Sequence, residues 1–255
     1  MRTMLENLTE NGLLDLFDER RIFFPEIDEE GREIARLFGF ACSGSERNLG
    51  IFGGFQALAR SMKSETLLLL ENDIHVIEPL EEVARQLNHS ANLVARREAA
   101  VVQLRHRKDP GQNIDASAKY RRYYCAPNAP MVTRLLAATR RAIRPSKAQR
   151  MVGGAPYVED RPEIIHPKDY TIDEAGFLSV SSSTRNWTNQ SFMIDRRFFL
   201  DCLMRQVDQT ETRRSINGFK NIEIELNSRW WRDQKFTVSI APGLFTHERI
   251  GYRGY

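Results

Sequence analysis

The sequence predicts an α/β protein whose central sheet is mostly parallel and covered by helices on both faces. Two observations carry this. Helix-like and strand-like patterns alternate through residues 1–45, the signature of a layered α/β fold. Farther on, Leu67-Leu68-Leu69-Leu70 forms a wholly apolar run between Glu65 and Glu71-Asn72-Asp73. The run is short for a helix and is followed by β-branched Ile74, Val76 and Ile77, which suits a strand buried on both faces.

Taken in order, residues 3–17 place Met4, Leu5, Leu8, Leu13, Leu14, Leu16 and Phe17 at helical spacing, interrupted at Asn11-Gly12. Arg21 to Phe24 reads as a strand stopped by Pro25, and Asp28 caps a helix from Glu29 to Phe38 that closes at Gly39. Phe40-Ala41 starts a short strand before the turn-prone Ser43-Gly44-Ser45. Gly50, Gly53 and Gly54 imply close backbone approach ahead of a helix from Phe55 to Met62. Such a loop either cradles phosphate or is a plain tight turn. After the leucine strand come a helix from Leu80 and a strand, Ala99 to Arg105, ending in the cationic Arg105-His106-Arg107-Lys108.

Residues 112–165 are harder to read: basic, with Tyr120, Tyr123 and Tyr124 and a helix at Met131–Ile143. They read as a variable insertion in a single domain spanning 1–255, either a solvated helical excursion or an acceptor- or membrane-facing surface. A hairpin follows at Tyr170–Ser183. The polar Asn186–Ser191 leads into Phe192-Met193-Ile194, and Asp195 caps a helix running to Met204. A last helix begins near Asn221 and carries Trp230 and Trp231. A strand, Phe236 to Ile240, precedes Pro242-Gly243 and His247.

Composition narrows the function classes. The chain has 255 residues, 41% hydrophobic and 28% charged, with a net charge of +3. That excess is too small to indicate nucleic acid, and no nucleic-acid motif accompanies it. Three scattered cysteines suit a reduced, cytoplasmic protein. No apolar run approaches the roughly 20 residues of a membrane span, which leaves peripheral membrane contact open.

Chemistry-bearing residues concentrate around the leucine strand. Glu71 and Asp73, two apart at its C-terminal end, point the same way, at the edge where open α/β sheets bind ligands. They form either a solvated strand end or a hard-cation site for Mg²⁺ or Mn²⁺. His75 alternates with Asp73 and is a further candidate ligand. Trp187, Asn189 and Gln190 offer a ring and amides for a sugar, or a core anchor beside a turn. Arg105 and Arg107 either meet phosphate or end a strand in solvent.

Three segments in order resemble the GT-A nucleotide-sugar glycosyltransferases, most closely the inverting family-two group. Asn48-Leu49-Gly50 with its following helix looks like the family's Asn-x-Gly segment. Leu70-Glu71-Asn72-Asp73 looks like the Asp-x-Asp motif, with Glu in place of the first Asp. Glu223-Ile224-Glu225-Leu226-Asn227-Ser228-Arg229-Trp230-Trp231 resembles the Glu-Asp-x-Glu-x-x-x-Arg helix. The resemblance covers residues 1–90 and 175–250.

It implies a metal-assisted, inverting hexosyltransferase of polysaccharide biosynthesis. Asn48, Gly50, Glu71, Asn72 and Asp73 would hold the donor diphosphate, with the cation on Asp73, Glu71 and a late histidine, His247. Glu223, or else Glu225, is the base. The implied donor is a nucleotide sugar, taken as a UDP-sugar, and the acceptor a glycan or lipid-linked hydroxyl. Family members begin with an apolar strand ahead of the first helix. Here Met1 opens directly into that helix, so the sequence reads as an N-terminally shortened version. The competing reading is a non-catalytic GT-A-like carbohydrate-binding or scaffold module.

Overall fold

The computed structural model describes residues 1–112, 115–126, 128–212 and 214–248. The first part of the chain alternates as expected: α1 (Arg2–Glu10), β1 (Arg21–Pro25), α2 (Glu29–Leu37), β2 (Ala41–Ser45), α3 (Gly50–Ser61), β3 (Thr66–Leu69), β4 (Ile74–Val76), α4 (Leu80–Ala95) and β5 (Val101–Arg105). The middle is helical: α5 (Asp115–Arg121), α6 (Met131–Ile143), α7 (Pro145–Met151) and α8 (Pro162–Ile165). The remainder adds β6 (Tyr170–Ile172), β7 (Leu178–Ser181), β8 (Phe192–Asp195), α9 (Arg205–Gln209), α10 (Ile222–Leu226), α11 (Arg229–Gln234) and β9 (Thr237–His247).

The sheet departs from expectation. Among the described residues β1 and β2 form a separate parallel pair, and the other seven strands form one sheet ordered β3-β8-β5-β9-β7-β6, with β4 on the far end of β9. Within it only β5 and β9 are parallel; the other pairings are antiparallel. The protein is therefore mixed α/β, not mostly parallel. The cause is β8, which enters between β3 and β5 against both of them and makes antiparallel ladders on each side.

Helices do cover both faces. Leu67, Leu69, Phe192, Ile194 and Ile240 face a core shared with α3, α9 and α10, while Val102, Leu104, Met193 and Phe245 face one shared with α1 and α4. Leu68 and Leu70 pack part-buried on the second core, so the leucine strand is apolar because it lies between two cores.

The β1–β2 pair is tied to the main sheet through Glu19. One carboxylate oxygen accepts from Arg21 Nε at 3.0 Å. The other accepts from Lys63 N at 2.9 Å, Ser64 N at 3.0 Å and Ser64 Oγ at 2.9 Å. Beside this clasp lies a cavity of about 200 Å³ lined by Phe17, Glu19, Thr66 and Leu68, among others.

Several local readings change. Ser43-Gly44-Ser45 continues β2 rather than turning: a Cβ on Gly44 would lie 2.4 Å from the Ile27 side chain, and glycine leaves room for that approach. The three glycines after Asn48 open α3 instead of forming a loop before it. The helix expected near Asn221 is two short ones. They break at Asn227, whose side chain bonds both backbone groups of Trp187, accepting from its N–H at 2.7 Å and donating to its carbonyl at 3.0 Å. The middle segment is not merely a solvated excursion, since Tyr120, Val152 and Ala155 are buried in the main core.

The largest change is β9. Pro242-Gly243 does not end the strand; it bends it, and the chain runs on to pair with β4 as far as His247. Gly243 has φ +114°, and a Cβ there would come within 2.1 Å of His106 Cα. The buried amide of Gln86 clamps this bend, accepting from Gly243 N at 3.0 Å and donating to its carbonyl at 3.2 Å.

Candidate metal centre

Strand direction gathers the candidate residues at one edge. The C-terminal ends of β3, β5 and β9 meet there, and β8, being antiparallel, begins there. Glu71 and Asp73 sit in the turn between β3 and β4. His247 lies directly across the β4–β9 ladder, opposite Ile74. One ligand atom each from Glu71, Asp73 and His247 all lie within 4.8 Å of one another. His247 Nε2 is 3.0 Å from Asp73 Oδ2, and Glu248 N donates to the Asp73 carbonyl at 2.9 Å.

The set suits a hard or borderline cation: two carboxylates and an imidazole. A cation bonded at about 2.1 Å spans about 4.2 Å between opposite ligands. Closing the group around one ion therefore takes only small shifts. His247 is 5% exposed, and its Nδ1 is buried without a hydrogen-bond partner.

His247 is held from its other side by residues 110–112. Its N–H donates to the Pro110 carbonyl at 3.3 Å, and its carbonyl accepts from Gln112 N at 2.9 Å. Gly111 between them has φ +72°, and a Cβ there would fall 2.2 Å from the His247 carbonyl oxygen. Only glycine fits.

This loop is fastened in turn by Arg105. The guanidinium donates to the Pro110 carbonyl at 2.6 Å, to the Gln112 carbonyl at 2.5 Å and to Gln190 Oε1. Arg105 is 5% exposed, so it is not a solvated strand end. Burial lowers its pKa, Tyr157 raises it, and Arg185 lowers it again; Asp73 and Glu71 also raise it. The buried cation thus lies within electrostatic reach of both acids.

Gln190 leads on to the candidate base. Asn189 N donates to Glu223 Oε1 at 2.9 Å. A covalent and hydrogen-bonded path thus runs from Glu223 through Asn189-Gln190 and Arg105 to residues 110–112, His247 and Asp73. Glu223 and Glu225 do part company, as their spacing requires. Glu223 is half-buried against the 187–190 segment, whereas Glu225 is 7% exposed with one carboxylate oxygen buried and unbonded.

Other candidates fall elsewhere. Trp187 is a core anchor: its ring lies against Phe192, Phe199 and Trp231, and its Nε1 donates to Asn189 Oδ1 at 2.9 Å. With its faces covered it cannot stack on a sugar, and Asn189 is spent in supporting it. Asn48 Oδ1 accepts from Gly50 N at 2.8 Å, a local turn at the start of α3, and Gly50 lies against Phe219. Asn72 is exposed at the tip between the two acids. His75 is buried opposite Thr246, outside the three-residue group, with Nδ1 4.0 Å from Glu248.

Gln86, Gly111 and Asn227 escaped the sequence reading. An amide in the buried stripe of α4 is the one signal that could have pointed to Gln86. Comparison of the chain with protein-family models and with curated proteins finds no match to either.

Proposed function

We propose that the protein is a divalent-cation-dependent glycosyltransferase of GT-A type, moving a sugar from a nucleotide-diphosphate donor to a hydroxyl acceptor with inversion. The observation that carries this is the convergence of Glu71, Asp73 and His247 at the binding edge of the sheet, with a carboxylate, Glu223, linked to the same edge. Glu71, Asp73 and His247 would hold Mn²⁺ or Mg²⁺. The ion supplies Lewis-acid neutralisation of a leaving diphosphate.

The chain's own residues account for the rest. Arg105 places a buried positive charge near the acids, which favours the anionic half of a donor. Glu223 accepts the acceptor hydroxyl's proton as its oxygen bonds to the anomeric carbon and the carbon–diphosphate bond breaks. Asn189 N–H, bonded to one Glu223 oxygen, orients the carboxylate and leaves its other oxygen for the proton.

The test is binding and hydrolysis of a panel of UDP-, GDP- and dTDP-sugars with and without Mn²⁺. One of them is expected to be hydrolysed only with metal, and Asp73→Asn is expected to abolish that metal-supported hydrolysis. If no nucleotide sugar in the panel shows metal-dependent binding or turnover, the proposal fails.

A further inference from the structure

Helix α6 is built inside out. At about 100° per residue, Met131, Val132, Leu135, Leu136 and Ile143 fall within one arc of roughly 140° that contains no charged side chain. An amphipathic helix on a protein surface normally turns such an arc inward. Here the five are 74%, 68%, 57%, 51% and 71% exposed. The residue that faces the protein is Ala137, 1% exposed and roughly opposite the centre of the arc.

The helix is held in this orientation from its polar side. Arg140 donates to the Arg122 carbonyl at 3.2 Å. Arg141 donates to the Tyr123 carbonyl and lies over the Tyr124 ring, 5.4 Å from its centre.

The segment's own charge has one sign. Residues 116–158 contain nine Lys and Arg and no Asp or Glu, in a chain whose total excess is only +3. Arg134 and Arg140 flank the arc, Arg144 joins α6 to α7, and Lys147 lies on α7; all four are exposed.

We infer that α6 docks on an anionic lipid bilayer, with the apolar arc entering the headgroup–acyl boundary and the basic rim meeting lipid phosphates. An outward apolar face bordered by arginines is what an interfacial helix requires. A second copy of the chain is disfavoured because it would bring an equally basic segment against this one. Nucleic acid would use the arginines but leave the apolar arc in water.

The experiment is flotation of the full chain with vesicles of phosphatidylcholine alone or mixed with phosphatidylglycerol, at low and high salt. Expected is salt-sensitive binding to the anionic vesicles only. It should fall at least about tenfold in Leu135→Asp/Leu136→Asp, which removes two apolar side chains from the arc and places negative charge against the anionic surface. Arg134→Ser/Arg144→Ser should weaken it as well. Both pairs are exposed, so an unchanged circular dichroism spectrum is expected to confirm the fold. No vesicle binding, or binding indifferent to the leucine substitutions, overturns the inference. So does a dimer that dissociates in the leucine variant, or oligonucleotide binding that the leucine variant loses.

Discussion

Glu19 is the point at which the β1–β2 pair is anchored to the sheet that carries the candidate site, and its removal is measurable. Burial raises its pKa, but hydrogen bonds from Lys63 N, Arg21 and Ser64 outweigh this and hold the carboxyl at about 2 against an ordinary 4.5. At 1.36 kcal/mol per pH unit, a fully protected group with that pKa would stabilise the fold by about 3.4 kcal/mol. The side chain is 19% exposed, and solvent screening brings the expected value to about 1–2 kcal/mol.

Glu19→Gln cannot reproduce the clasp, because its amide NH₂ must face either Arg21 or the three donors of residues 63 and 64. The folded pKa is depressed, so the stabilisation is complete above about pH 4.5 and is lost as pH falls toward about 2. Urea denaturation of parent and variant at pH 7 and pH 3 is the assay. The difference should be about 1–2 kcal/mol at pH 7 and less than half of that at pH 3. A variant as stable as the parent at pH 7, or a gap that does not shrink by pH 3, would refute the assignment of Glu19 as the clasp.

Two further predictions concern the candidate site. Gly111→Ala forces a Cβ onto the His247 carbonyl and a left-handed backbone onto alanine. It should cost more than about 2 kcal/mol by thermal denaturation and weaken Mn²⁺ binding by calorimetry; unchanged metal affinity would detach the loop from the site. Glu223→Gln retains the acceptor for Asn189 N but cannot take a proton. It should lower turnover about 10²-fold or more with donor affinity unchanged. If Glu225→Gln shows that pattern instead, the base assignment moves to Glu225.

Residues close in the chain were the legible part. The leucine strand, the Asp28 and Asp195 caps, the Tyr170–Ser183 hairpin and helices α4 and α6 follow from periodicity and local hydrogen bonding. Each of these signals acts within a few residues. Glu71 and Asp73 do come together, but in the turn between β3 and β4 and not through strand alternation. His247 entered from the family resemblance, because nothing within its own neighbourhood marks it.

Contacts across long stretches of chain decided the rest. Pro242-Gly243 carries an ordinary stop signal, yet Gln86, 157 residues away, bonds both backbone groups of Gly243 and turns the stop into a bend. That bend delivers His247 opposite Ile74. Strand direction was illegible too, since a buried strand is apolar whichever way its neighbours run. The burial of Trp187 and Arg105 also depended on partners remote in sequence. By itself, then, the sequence determined many of the helix and strand segments, not all of their bounds, and where two acids lie two residues apart. Only the tertiary structure brought a histidine and a buried arginine to the edge where those acids stand and linked a third carboxylate to it, because that assembly rests on hydrogen bonds between segments distant in the chain that no local pattern encodes.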